Sequence, residues 1–190
     1  DTKITFPDKF IGPTREVFIT GEAYFKVKPN PDTPMVVSTN RNIVVKVLGT
    51  EFNLRAYENE ATTRTTLYSG KVDVLGTKSD GETFKLAELK PNESYVTREA
   101  KAPLKVLKAD TLKIAAWRNG VLIFDNTPMD AVIKELERWH GASITVRNDK
   151  LYKYTFTAKF NQEPLVRVLE SIKFCTDIKY TIDGNNVVFY

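Results

Sequence analysis

Few residues in this chain are equipped for catalysis. There is one histidine, His140, and one cysteine, Cys175, in 190 residues. Any Ser-His-Asp or Cys-His mechanism has to run through His140. One His and one Cys cannot build a usual zinc site, so no metal is expected. His140 closes a run of helical spacing beside Trp139. A helix C-terminus favours the cationic ring, and the residue reads as a surface or capping histidine. Cys175 falls on the apolar face of a second helical run and reads as a small buried hydrophobe. Carboxylates are numerous, but no pair stands out as the acid and nucleophile of a glycosidase. There is no P-loop and no GxGxxG, so no cofactor is expected. Trp117 and Trp139 fit either sugar platforms or core anchors, the commoner role.

The other notable feature is VLGTEFNLRAY, residues 47–57. Before it, apolar side chains fall on odd numbers (Ile43, Val45, Val47). After it they fall on even numbers (Phe52, Leu54, Ala56). Strand side chains alternate with period two, so keeping one inward face requires a register shift near Gly49-Thr50. The residues alone predict a glycine β-bulge there that re-aims the strand.

The elements that must position these residues follow two grammars. From residue 1 to about 110 the chain reads as strands and turns. In REVFITGEAYFKV the odd positions Val17, Ile19, Ala23, Phe25 and Val27 form an apolar face. Pro29, Asn30, Pro31 and Asp32 break it. Short runs follow at 35–39, 43–48, 51–57, 62–68, 71–75, 83–88 and 94–97, most of them separated by turn residues. This pattern predicts an all-β sandwich or barrel-like domain over 1–110. Segment 103–108, PLKVLK, reads as its last strand or a connector. The boundary falls between Ala109 and Trp117.

Residues 111–190 change period. Thr127 is placed as an N-cap, with Pro128 at the first helical position. Met129, Val132, Ile133, Leu136 and Trp139 form one helical face, and Gly141 ends the helix. The unit then repeats at an offset of 36: Phe124 matches Phe160, Pro128 matches Pro164, and Val132, Ile133 and Leu136 match Val168, Leu169 and Ile172. A fixed offset that preserves both the proline and the apolar face indicates a duplicated β-α-β unit. The simplest assembly is one sheet covered by two helices, with right-handed crossovers between parallel strands. Val166 and Phe174 fall outside the apolar stripe of the second helix, and the last strand, with Val188 and Tyr190, reads as an edge. These four residues are the candidate partner surface.

The bulk numbers exclude some classes. The chain is 42% hydrophobic with a formal charge of +4, and its Lys and Arg are scattered among acids. There is no basic block of the kind nucleic acid requires, so no nucleic-acid partner is expected. No run approaches the ~18 apolar residues of a membrane helix. A single cysteine forbids an internal disulfide. The chain opens at Asp1 without an initiator Met, which reads as a trimmed or processed fragment of something longer.

GEAYFKV (21–27), VLGTEFNLRAY (47–57) and SGKVDV (69–74) resemble the signature run of the FecR family, regulators of sigma factors in bacterial cell-surface signalling. WRNGVLIFDNTPMDAVIKEL (117–136) and the repeat after it resemble the C-terminal domain of Bacteroidetes-type members, itself similar to the secretin/TonB N-terminal fold. The resemblance implies a β-sandwich (jelly-roll-like) first domain, with its first strands missing here. It implies the periplasmic region of a single-pass inner-membrane anti-sigma factor. Such a region takes its signal from the signalling domain of a TonB-dependent receptor. The sigma factor would be bound through a cytoplasmic segment outside this chain, and the membrane reached through a helix also outside it. Some members cleave themselves at a Gly-Thr bond in this motif, which implies Gly49 and Thr50 as the reacting pair. The rival reading is a carbohydrate-binding β-sandwich of a glycan-uptake system, with Phe18, Tyr24 and Tyr57 lining a groove. An enzyme acting on a small substrate is the least supported reading.

Overall fold

The computed structural model describes residues 1–98 and 106–190. It divides into two units, Asp1–Ala115 and Ala116–Tyr190, each with its own hydrophobic core.

The strands of the first unit are β1 (Lys3–Thr5), β2 (Arg15–Lys26), β3 (Met35–Thr39), β4 (Ile43–Val47), β5 (Glu51–Ala56), β6 (Thr63–Ser69), β7 (Val72–Thr77), β8 (Thr83–Leu89), β9 (Glu93–Thr97) and β10 (Leu107–Lys108). A single turn of helix, α1 (Thr111–Ile114), is capped by the Asp110 carboxylate. Two elements, β1 and α1, are too short to show a period in the sequence. Of the segment 103–108, residues 103–105 lie outside the described residues, and Leu107–Lys108 pair with β9.

The sandwich expectation resolves into one continuous sheet that curls around a single core. Its order is β10-β9-β6-β5-β2-β3-β4-β7-β8, with β1 on the side of β2. The joint is β2, whose twelve residues serve both halves. Arg15–Ile19 runs parallel to β3, and Gly21–Lys26 runs antiparallel to β5. Gly21 marks the change, with φ of 103°. A side chain there would land 2.7 Å from the Thr2 Cα. Glycine therefore lets β1 close in, and the Glu22 N–H donates to Thr2 Oγ1 at 3.1 Å.

The predicted bulge at Gly49-Thr50 is instead a corner between two strands. β4 lies between β3 and β7, whereas β5 lies between β2 and β6. The two strands reach the same core from different parts of the curl, so their parities need not agree. The bulge in this region is on β6: Glu51 faces Ser69 and Phe52 faces Leu67, which leaves Tyr68 as the extra residue.

The second unit runs through a 3-10 turn at Ala116–Asn119 into β11 (Val121–Pro128), α2 (Met129–His140) and β12 (Ser143–Val146). After a second 3-10 turn at Asp149–Lys153 come β13 (Thr155–Asn161), α3 (Leu165–Cys175), β14 (Tyr180–Asp183) and β15 (Asn186–Phe189). The duplication is real, but it does not build one sheet. β11 pairs antiparallel with β13, while β12, β15 and β14 form a separate three-stranded sheet. Each repeat sends its first strand to one sheet and its second to the other. β12 and β15 are the parallel pair of this unit. Met129, Val132, Ile133 and Leu136 from α2, and Val168, Leu169 and Ile172 from α3, bury together as the repeat predicts.

Three local expectations change. The N-caps of α2 and α3 are Pro128 and Pro164 themselves, without a side-chain cap bond. Thr127 belongs to β11, where its Oγ1 accepts from the Asp125 N–H at 3.0 Å. Cys175 is exposed, because α3 ends there and the chain turns into an extended Thr176. β15 is the central strand of its sheet, so Val188 and Tyr190 do not lie on an edge strand. Gly141 caps α2 in the left-handed conformation, as expected.

Candidate functional site

The corner at Gly49-Thr50 is tightly held. The Thr50 N–H donates to the Val27 carbonyl at 3.2 Å, and the Val27 N–H returns the bond to the Thr50 carbonyl at 2.9 Å. The Asn30 N–H donates to the Leu48 carbonyl at 2.7 Å. Thr50 is 3% exposed, and its hydroxyl donates to the Lys71 carbonyl at 3.0 Å. Gly49 is required by space, not by φ: a Cβ there would sit 2.5 Å from the Pro29 Cα. On the other side lies Gly70, whose φ is 88°. A Cβ on Gly70 would sit 2.7 Å from the Gly49 carbonyl oxygen and 3.0 Å from Thr50 Oγ1. The Gly49–Thr50 peptide thus runs between Pro29 and Gly70.

The outer face of β2 and β5 carries a second polar assembly. Gly21–Lys26 pairs with Glu51–Ala56, so the two stretches GEAYF and FNLRA are neighbouring strands. Glu22 accepts from Asn53 Nδ2 at 2.7 Å and from Arg55 Nη1 at 2.8 Å. Arg55 also binds Glu60 through two bonds, of 3.0 and 2.6 Å. Asn53 is fully buried although it faces away from the apolar core. This network explains why polar residues interleave with Phe52 and Leu54: one face fills the core and the other locks β2 to β5.

Of the aromatic residues in the sugar-binding reading, Tyr24 and Tyr57 are each engaged by a neighbouring side chain. Phe18 and Tyr24 share a face of β2 but stand six residues, about 20 Å, apart. Tyr24 packs edge-on against Tyr68 at 5.0 Å and donates to Glu51 Oε2 at 2.8 Å. The Tyr57 ring lies under the Arg55 guanidinium, 5.0 Å from it.

In the second unit the four candidate partner residues divide. Val166, 48% exposed, and Phe174, 91% exposed, lie on one side of α3 together with Glu170. Val188 is half-buried on β15, between the core residues Val187 and Phe189, and so points to the opposite face of the sheet. Tyr190 is exposed after the end of β15. Two residues of β14 that the sequence does not single out, Tyr180 and Ile182, join this part of the unit. Tyr180 donates its hydroxyl to Glu170 Oε1 at 2.7 Å, which sets the β14 edge alongside the Val166–Phe174 side of α3. Burial and the Glu170 bond push the Tyr180 hydroxyl up to about 12, while that bond and Lys173 hold the Glu170 carboxyl below its usual range. Only the alternation of two short apolar residues on a four-residue strand could have signalled this edge.

The two edges of the three-stranded sheet differ. In β12 the Ser143 and Arg147 N–H groups bond toward β15, so Ile144 points outward. The Ile144 N–H is already taken by Glu137 Oε1 at 3.0 Å. In β14, Lys179 and Tyr190 exchange both backbone bonds. By the alternation of an antiparallel ladder, Tyr180 and Ile182 then point their N–H and C=O groups away from β15. Among the described residues no partner strand occupies that side.

His140 is half-buried and its Nε2 has no partner among the described residues. Burial lowers its pKa, which favours the neutral ring. That direction is opposite to the one a helix C-terminus alone would give. Among the described residues no group of three or more His, Cys, Asp or Glu could hold a metal ion, and no helix is long and apolar enough to cross a membrane.

The chain thus combines a curled β unit with a buried Gly-Thr corner and a duplicated α/β unit in which β14 has an unpaired side among the described residues. Two crystal structures of a "putative anti-sigma factor" from Parabacteroides distasonis, at 1.65 and 2.50 Å, match the whole chain with a TM-score of 0.83 and 28% identity. The match covers 86% and 85% of those chains. A search of curated proteins returned no significant match. Residues 1–73 match the family described as FecR protein, and residues 121–189 match FecR, C-terminal. The chain belongs to the FecR family, a regulatory and non-enzymatic family of anti-sigma factors, and carries its C-terminal domain.

Proposed function

We propose that this chain is the periplasmic portion of a single-pass inner-membrane anti-sigma factor. It relays a signal from a TonB-dependent outer-membrane receptor toward an extracytoplasmic-function sigma factor. The carrying observation is the open β14 edge beside the exposed Val166 and Phe174, in a chain matched to the family along both units. An incoming strand would bond to the outward groups of Tyr180 and Ile182 and cover Ile182 and the apolar side of α3. The receptor's signalling domain is the proposed donor of that strand. Titration of the chain with the signalling domain of its cognate receptor tests this. Binding in the micromolar range, weakened at least tenfold by Ile182→Asp, is expected. No binding at high micromolar concentration, with both proteins folded, refutes it.

The β unit is proposed to be the relay, with Gly49–Thr50 as a bond it cleaves in itself. The Thr50 hydroxyl turns from the Lys71 carbonyl and attacks the Gly49 carbonyl carbon. The Gly49–Thr50 C–N bond breaks, the hydroxyl proton passes to the Thr50 nitrogen, and an ester joins the two residues. Water then hydrolyses the ester, leaving a Gly49 carboxylate and a free Thr50 amine and hydroxyl. The packing of Gly49 between Pro29 and Gly70 supports this reading, because it fixes the peptide in one place. Intact mass after long incubation tests it, with Thr50→Ala as the uncleavable reference.

A further inference from the structure

We infer that Gly70 is a positioning residue for the Gly49–Thr50 bond, kept as glycine so that the carbonyl oxygen and the nucleophile share an unfilled space. The inference rests on the self-cleavage reading above and adds a residue to it. Three observations converge on this position. The Cβ that Gly70 lacks would lie 2.7 Å from the Gly49 oxygen, 3.0 Å from Thr50 Oγ1 and 3.2 Å from the Thr50 Cα. The vacant position therefore borders the electrophile's oxygen and the attacking atom at once. The neighbouring carbonyls of Leu48 and Thr50 each accept a backbone bond, whereas that of Gly49 accepts none among the described residues. Its oxygen is free to move as the carbonyl carbon becomes tetrahedral. Pro29 crowds the α-carbon of Gly49, where an added Cβ would meet it at 2.5 Å, and Gly70 is the residue that lies against its carbonyl oxygen. A methyl group on Gly70 would occupy the space into which the oxygen and Oγ1 must rearrange.

Backbone strain and filled space can be separated inside this same chain. Gly70 and Gly81 both have φ of 88°, but nothing lies within 4 Å of a Cβ on Gly81. Gly81→Ala therefore carries the conformational cost alone, and Gly70→Ala carries that cost plus the contact. Gly70→Asn is a second probe, because three of the four non-glycine residues at positive φ among the described residues are asparagine, Asn42, Asn92 and Asn126, the fourth being Gln162. It tolerates the backbone better and still fills the space.

The experiment compares wild type, Gly70→Ala, Gly70→Asn, Gly81→Ala and Thr50→Ala, each checked for folding by thermal denaturation. Intact mass gives the cleaved fraction. Hydroxylamine traps the ester as a Gly49 hydroxamate, which reports the acyl shift itself and not stability. The expected result is cleavage and trapping in wild type and in Gly81→Ala within twofold of each other. At least a tenfold loss of both is expected in whichever Gly70 variants fold. Equal trapping in a folded Gly70 variant and in wild type overturns the role of Gly70 while leaving self-cleavage standing. Absence of both product and trapped ester in wild type overturns the self-cleavage reading and this inference with it.

Discussion

The two units finish their sheets in opposite ways. The edge strand β8 of the first unit carries a bulge, since Val74 faces Ala87 but Leu75 faces Lys85. Its outer surface is charged: Lys85 pairs with Asp73 and Glu88 at 2.8 and 2.6 Å, and Glu88 pairs with Lys71 at 2.9 Å. Lys85, then Lys71, hold the Glu88 carboxyl down at about 2. Bulges and lysines are how soluble proteins keep an edge from recruiting another strand. β14 has neither. It shows Ile182 at 38% exposure, and Phe174 is nearly bare on α3, the helix that Tyr180 of β14 bonds through Glu170. The lesson is that the β8 edge is guarded and the β14 edge is not, which is why the proposed docking is placed on β14.

The largest expected effect concerns the separation of the cores. Leu136→Ala in the second unit should cost about 2–5 kcal/mol. It should lower the melting of the second unit and leave that of the first unchanged, as read by calorimetry. A single transition shifted as a whole would break the comparison. Next comes the lock between β2 and β5. Arg55→Ala takes from Glu22, whose side chain is only 10% exposed, one of its charged cross-strand contacts, while the bond from Asn53 stays. The expected cost is about 1–3 kcal/mol, confined to the first unit and measured by urea denaturation.

The edges give a smaller change in stability but a sharper contrast. Lys85→Val with Glu88→Val removes the guard on β8, and concentration-dependent self-association by light scattering is expected. Ile182→Lys places a charge on β14 and should change stability by less than about 0.5 kcal/mol while abolishing partner binding. The smallest effect is that of His140. Burial lowers its pKa, so around its ordinary value the unfolded chain binds more protons than the folded one. Stability from this residue is present above the unfolded pKa and lost as pH falls through it. The second unit should melt lower at about pH 5.5 than at about pH 7.5, and His140→Gln should flatten that difference.

Much of this was legible in the sequence where a period or a fixed offset carried it. β2 and its inward face followed from Val17, Ile19, Ala23 and Phe25, and the helices from matched prolines and apolar stripes. The strand pairings were not legible, because alternation gives a face and not a neighbour. Nothing in REVFITGEAYFK says that one strand serves two halves of a sheet, or that β12 will pair with β15 and not with β11. The parity break at Gly49-Thr50 was read correctly as a change of direction and wrongly as a bulge. A corner and a bulge shift alternation alike. The need for glycine at 49 comes from Pro29, twenty residues earlier, which no local pattern reveals. Cys175 looked buried because its helical phase matched Trp139, and the end of α3 overrode that phase.

The central claim is that β14 accepts a strand from the receptor's signalling domain. Amide hydrogen exchange of the chain, free and saturated with that domain, tests it at single-residue resolution. The account predicts that the Tyr180 and Ile182 amides, which point away from β15, exchange freely alone and become strongly protected in the complex. Saturated binding that leaves those two amides exchanging as before would contradict it.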